Sequence, residues 1–322
     1  MDSSENVKNP NEQVDSFDDE DLIDKLPKDK HWESVEIYQW RGYWFIPEMI
    51  KSTLALPSHF HPRDDDILLA SSLKVGTTWL KSLCTNIMHK QDVLTKVSPH
   101  MHIPTIESMI FVNDPFALLS KIPSPRIVHT HLPYTLLSDS IKNSKCKIVY
   151  ITRNPKDTFI SLWHHSNNTV DGIIIKKPLS LEKAFEYFCN GVYIQGPFFD
   201  HVLEYYLESL KIPNKILFLR YEDLQRNPKG EVKKLALFLG RPFCLESEVD
   251  QVLGNCSLER LKNLEVNKIG RNKYNGLPNA VYFRKGIIGD SRNYLTQEME
   301  ERLDEIMRVK FQGTGLDLSL DA

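Results

Sequence analysis

The chain has 322 residues, 41% hydrophobic and 26% charged, with a formal net charge of −3. A globular protein of this length hides roughly three quarters of its unfolded surface, enough core for one large domain or two medium ones. The slightly acidic balance speaks against a broad nucleic-acid surface and leaves room for a local basic pocket that takes a small anion. Five cysteines, Cys84, Cys146, Cys189, Cys244 and Cys256, are widely spaced with no CxxC pair. That pattern fits reduced thiols better than a disulfide framework or a zinc site. The start, Met1-Asp2-Ser3-Ser4-Glu5, is acidic and polar, unlike a signal or transit peptide. No apolar run approaches the roughly 20 residues of a membrane span. A soluble, cytoplasmic protein is expected, without nucleic-acid or membrane partners.

Residues 1–24 are acidic and poor in apolar side chains, which predicts a flexible tail ahead of one domain over 25–322. From Trp32 onward aromatics crowd in: Tyr38, Trp40, Tyr43, Trp44, Phe45. Ile67-Leu68-Leu69-Ala70 is continuously apolar, as a strand buried on both faces should be. After Gly-Thr-Thr, apolar residues at Leu80, Leu83, Cys84, Ile87 and Met88 repeat with helical spacing. Arg126–Val128, Lys147–Ile151 and Ile216–Leu219 read as further strands. Asn154-Pro155 then caps and opens one helix, and Val232, Leu235, Ala236 and Leu239 share a face of another. Strands alternating with helices predict a single α/β domain whose mainly parallel sheet is flanked by helices. Ligands in such sheets bind beyond the carboxyl ends of the strands.

The strand ends carry the chemistry. After the first comes Lys74-Val75-Gly76-Thr77-Thr78-Trp79. Gly76 permits a tight turn that aims N–H groups at an anion, two threonines add hydroxyls, and Lys74 adds a cation. No GxxxxGK(S/T) or GxGxxG occurs; here the lysine precedes the glycine. An ordinary strand-turn-helix with a solvated lysine is the plain alternative. The second strand runs into His129-Thr130-His131-Leu132-Pro133, placing His131 at the sheet's lip, where an imidazole can take a proton from a hydroxyl. His129 and His131 share a side, but no third ligand follows at metal spacing, so no metal is expected. The third strand leads to Arg153, a candidate phosphate clamp, with Ser161 about two helical turns on. The fourth leads to Tyr221, which suits either a base contact or the core. Arg284-Lys285-Gly286 adds two cations in a flexible stretch.

Taken in order, these motifs resemble the cytosolic sulfotransferases over about residues 22–312, and Leu26-Pro27-Lys28 and Tyr43-Trp44-Phe45-Ile46-Pro47 look like the plant branch. The resemblance implies a nucleotide-kinase-like phosphate loop and a reaction that moves the sulfonate of 3′-phosphoadenosine 5′-phosphosulfate (PAPS) to a hydroxyl of a small organic acceptor. It implies that His131 is the general base and that Lys74 stabilises the leaving phosphate. Lys74 through Trp79 would surround the 5′-phosphosulfate, Trp79 stacking on adenine. Arg153 and Ser161 would hold the 3′-phosphate, with Arg284-Lys285-Gly286 closing over it. Tyr221, Cys256 and Leu258 would lie near adenine.

Leu73 and Val75 stand where the family usually has Pro and Ser or Thr, Leu258 where an aromatic is common, and Ser291 where Trp usually follows Gly-Asp. They support an alternative reading: a weak or inactive homologue that binds nucleotide or another ligand. A nucleotide kinase is a further alternative, disfavoured by the missing Walker lysine. The dimer motif of the animal enzymes is degraded at Arg292, Thr296, Gln297 and Glu301, which favours a monomer. For the acceptor, the resemblance implies a pocket from loops near Tyr43-Trp44, 101–118, His164-His165 and 166–180. Phe111, Phe116, Trp163 and Tyr193 are candidate walls for a phenolic, flavonoid or steroid-like ring.

Overall fold

Two sheets of opposite character share one hydrophobic core. The computed structural model describes residues 16–89, 93–111, 119–168, 177–272 and 276–320. Near the N-terminus β1 (Lys28–His31), β2 (Val35–Trp40) and β3 (Tyr43–Phe45) form an antiparallel sheet in the order β1-β2-β3. The central sheet holds β4 (Ile67–Ser71), β5 (Ile127–Thr130), β6 (Lys147–Thr152) and β7 (Ile216–Arg220), all parallel, in the order β5-β4-β6-β7. The four apolar runs read from the sequence are these four strands. Every residue of β4 is buried, as its unbroken apolar pattern requires. Each such Leu or Ile contributes roughly 1.5–3 kcal/mol through removal from water.

Helices pack against the sheet at the predicted places. Thr77–Met88 follows β4 and buries Leu80, Leu83 and Cys84. Pro155–Asn167 follows β6; the Asn154 side chain accepts from the N–H groups of Lys156 and Asp157, and Pro155 opens the first turn. Tyr221–Arg226 and Pro228–Phe238 follow β7, the second burying Val232, Leu235 and Ala236. Within the core Tyr150 stacks on Tyr205 at 4.2 Å between ring centroids.

Two features differ from the sequence reading. Ser16–Asp24, inside the stretch expected to be flexible, is helical, with Ile23 only 5% exposed and Glu20 paired to Lys51 at 3.1 Å. One apolar anchor suffices there, and average composition hides it. Residues 1–15 lie outside the described residues. The antiparallel β1-β2-β3 sheet, seen in the sequence only as a crowd of aromatics, is the second.

Candidate active site

The carboxyl ends of β4, β5, β6 and β7 open on one continuous cavity of about 1290 Å³. Beyond β4 the chain turns through Lys74 at φ 64° and Gly76 at φ 106° before entering Thr77–Met88. Such left-handed residues point backbone N–H groups into a concavity. Gly76 is required twice over: an added Cβ would lie 2.7 Å from Cδ2 of Tyr221. Thr77 hydrogen-bonds Ser71 Oγ at 2.8 Å, and Thr78 hydrogen-bonds His100 Nε2 at 2.8 Å. Lys74 is pushed down to about 7 by burial and by the neighbouring Arg284 and Arg153 guanidiniums. A lysine destabilised by two other cations marks a place that lacks negative charge, so the pocket fits a polyanion.

His131 lines the same cavity. Its Nδ1 lies 2.8 Å from the Ser71 carbonyl, which can only accept, so Nδ1 carries the proton and Nε2 is the free base. Burial, with Lys81, His201 and Lys74 adding to it, depresses its pKa to about 3 despite the Ser71 bond, so the ring is neutral. The backbone beneath is pinned from several sides. Buried Glu107 accepts from the His131 N–H at 2.7 Å and from the Thr130 hydroxyl at 2.9 Å. His201 Nε2 donates to the His131 carbonyl at 3.0 Å, and Tyr205 donates to the Leu132 carbonyl at 2.9 Å. Neither Glu107 nor His201 was singled out by sequence, because both reach β5 from remote elements.

Arg153 is buried at the end of β6, its guanidinium 4.7 Å from the Tyr221 ring centroid. It donates to Asp157 at 3.0 Å and to the Ile287 carbonyl at 2.6 Å, while its Nε has no protein partner. Asp157 also accepts from the N–H groups of Gly289 at 2.7 Å and Ser291 at 2.9 Å, sewing the C-terminal loop onto the helix that carries Ser161. Arg284 and Lys285 both pair with Asp290, the latter at 2.7 Å. Burial works to raise Asp290, but Lys285 and Arg284 overcome it and hold the carboxyl at about 2.

Lys74, Gly76, Thr77, Thr78, Trp79, His131, Arg153, Ser161, Tyr221, Cys256, Leu258, Arg284, Lys285 and Gly286 all line this cavity. Val75 does not; its side chain is fully buried in the core, so only the backbone remains available there. Trp79 meets Tyr221 edge-on at 5.6 Å, and Leu258 packs against Gly286.

The acceptor-side expectations fare less evenly. Among the expected walls Tyr193 is core, 1% exposed and stacked on Phe188, and Trp163 is tied to the Leu179 carbonyl at 2.9 Å. Tyr43 and Trp44 are buried as well. Aromatic composition cannot separate a wall from a core. Phe116 and the side chain of Phe111 lie outside what is described, whereas His165 does line the cavity. The rest of the lining takes Ile46, Pro47 and Met49 from the expected stretch near Tyr43-Trp44 and Thr105 and Ser108 from 101–118, joined by His31, Val35, Glu36, Tyr38, Ile194 and Gln195 from segments the sequence did not single out for the acceptor. Among the described residues no group of three or more His, Cys, Asp or Glu is placed to hold a metal, and no helix is long and apolar enough to cross a membrane.

Comparison with known proteins adds the lineage. The sulfotransferase domain profile matches residues 64–315. The chain is 41% identical to cytosolic sulfotransferase 12 of Arabidopsis thaliana over 307 residues, 92% of this chain and 93% of that protein. The crystal structure of an Arabidopsis thaliana putative steroid sulphotransferase superposes with a TM-score of 0.73 at 34% identity, covering 93% and 94% of the two chains. A mouse sulfotransferase, SULT7A1, complexed with PAP, superposes with a TM-score of 0.71 at 28% identity, covering 87% and 96%. The chain belongs to the sulfotransferase family.

Proposed function

We propose that this protein transfers the sulfonate of PAPS to a hydroxyl of a small organic acceptor. One observation carries the reading: Lys74, Arg153 and Arg284 converge on a cavity whose wall also holds a neutral histidine with its outer nitrogen unprotonated. The buried, orphaned Nε atoms of Arg153 and Arg284 are the donors an anionic ligand would satisfy. PAPS supplies an activated sulfonate on a phosphate leaving group. Lys74 and the loop N–H groups would bind its 5′-phosphosulfate, and Arg153, Ser161 and the Arg284-Lys285-Gly286 loop its 3′-phosphate. Trp79, Tyr221, Cys256 and Leu258 would border the adenine. The PAP held by the mouse relative supports PAPS as the donor.

In the reaction the free Nε2 of His131 takes the proton of the acceptor hydroxyl, a role worth about 10²–10⁴-fold in rate. Lys74 meets the charge that grows on the departing phosphate oxygen, already in place before the reaction begins. Glu107 and His201 hold the base still. The apolar part of the lining, Val35, Ile46, Pro47, Met49 and Ile194, suits a phenolic, flavonoid or steroid-like ring system. We read residues 25–322 as one catalytic domain, a cytoplasmic monomer like its relatives in the first respect.

The test is transfer of labelled sulfonate from PAPS to a panel of flavonoids, simple phenols and steroids. Transfer to any of them supports the reading. PAP binding without transfer to any acceptor would favour a binding protein, the reading to which Leu73, Val75 and Leu258 point.

A further inference from the structure

Behind the phosphate loop lies a buried polar chain that the transfer reaction leaves unused. Lys81, 1% exposed, donates to the Ile103 carbonyl at 3.0 Å and faces Thr105 Oγ1 at 3.4 Å. Thr105 Oγ1 lies 3.0 Å from His129 Nδ1. His129 Nε2 lies 3.1 Å from Ser71 Oγ, and Ser71 Oγ lies 2.8 Å from Thr77 Oγ1. His129 and Ser71 are fully buried, and residues 129 and 105 form an isolated parallel bridge at the sheet edge.

The direction of the chain follows from its ends. Burial pushes Lys81 down to about 7 against the pull of Glu107, and while it carries its proton it only donates, so the Thr105 oxygen accepts from Lys81 and the Thr105 proton goes to His129 Nδ1. Burial keeps the His129 ring neutral, which leaves its single proton on Nε2. That proton goes to Ser71, the Ser71 proton goes to Thr77, and the Thr77 proton is left for the cavity. His131 Nδ1–H, 3.4 Å from Ser71 Oγ, is also a donor and agrees with this sense. The reverse order would leave the Thr105 proton with neither Lys81 nor His129 to accept it.

We propose that His129 is a positioning residue for the phosphate loop: acting through Ser71, it fixes the Thr77 hydroxyl as a donor toward the bound anion. The inference rests on the donor-site reading above. A bond chain that starts on a buried cation polarises each following link in one sense, so the last hydroxyl is a better donor than one free to rotate. Thr105 and Ser71 are its intermediate links.

Two measurements test it on the whole enzyme. Thr105→Val keeps the volume of a side chain that also lines the cavity, breaks the link to His129, and is expected to lower kcat/KM for PAPS and weaken PAP binding about tenfold, short of the ~10²–10³ lost with a direct donor. Thr105→Ser is expected to restore both. Equal PAP affinity and turnover in Thr105→Val and wild type would overturn the proposal while leaving the donor reading intact; a wild type that binds no PAP removes the donor reading itself. Should Thr105→Val fail to fold, ring ¹⁵N shifts of wild-type His129, assigned by difference from His129→Gln, decide the matter. Protonated Nε2 with bare Nδ1 is expected, and the opposite tautomer overturns the proposal.

Discussion

The two ends of the cavity are built in different ways. The end with Lys74, Gly76, Thr77, Thr78 and Arg153 sits at the tips of parallel strands, each side chain delivered by a turn that directly follows its strand. The opposite end is assembled from segments far apart in the chain. There Trp44 N–H donates to the Gly196 carbonyl at 3.0 Å, and Gln195 N–H returns to the Trp44 carbonyl at 2.6 Å. On the proposed reading the reaction class rests on local strand-turn-helix geometry and acceptor choice on long-range packing.

That division is open to attack at both ends. The largest effect should come from His131→Ala, which is expected to lower kcat by about 10²–10⁴ while PAP affinity, measured by calorimetry, stays within about twofold. An unchanged rate would remove His131 from the reaction. Lys74→Met is expected to cost about 10²–10³ in kcat, read by steady-state sulfonate transfer, because the cation matters most where charge develops.

A pH profile sharpens the same point. Lys74 is depressed to about 7, so in the free enzyme its ammonium is present below that value and lost above it. The profile of kcat/KM for PAPS should fall as the pH climbs through about 7. His131, near 3, contributes no step at neutral pH. A flat profile between about pH 6 and 9 would mean that Lys74 keeps its proton throughout.

Gly76→Ala attacks the donor end through the backbone. A methyl 2.7 Å from the Tyr221 ring at a φ of 106° must move the loop, and PAP affinity should drop about tenfold or more. The smallest effect is expected at the other end. Met49→Ala should raise the acceptor KM a few-fold and leave the PAPS KM alone, since it removes apolar contact only. A matching rise in the PAPS KM would show that the two ends are not independent.

Much of the donor end was legible because its signals are local. The glycine turn after an apolar strand, Asn154-Pro155 at a helix start and arginine at a strand end each restrict only a few neighbouring residues. Leu73-Lys74-Val75 marks the limit of that reading: the pattern places the loop, but which of its side chains turns inward depends on the core above it, and Val75 turns away. The acceptor wall was less legible. Tyr193 has the composition of a ring-binding slot and went to the core, with Trp163 half-buried against it, while Val35 and Met49, plain in sequence, came to line the cavity.

By itself the sequence determined the parallel strands, the helices that follow them and the cations at their ends, since periodicity and turn chemistry act over a few residues. Tertiary structure alone decided the tautomer of His131, the partners of Arg153 and the buried chain from Lys81 to Thr77. Those depend on contacts between residues tens of positions apart, and a hydrogen bond assigns its proton only once both partners are in place.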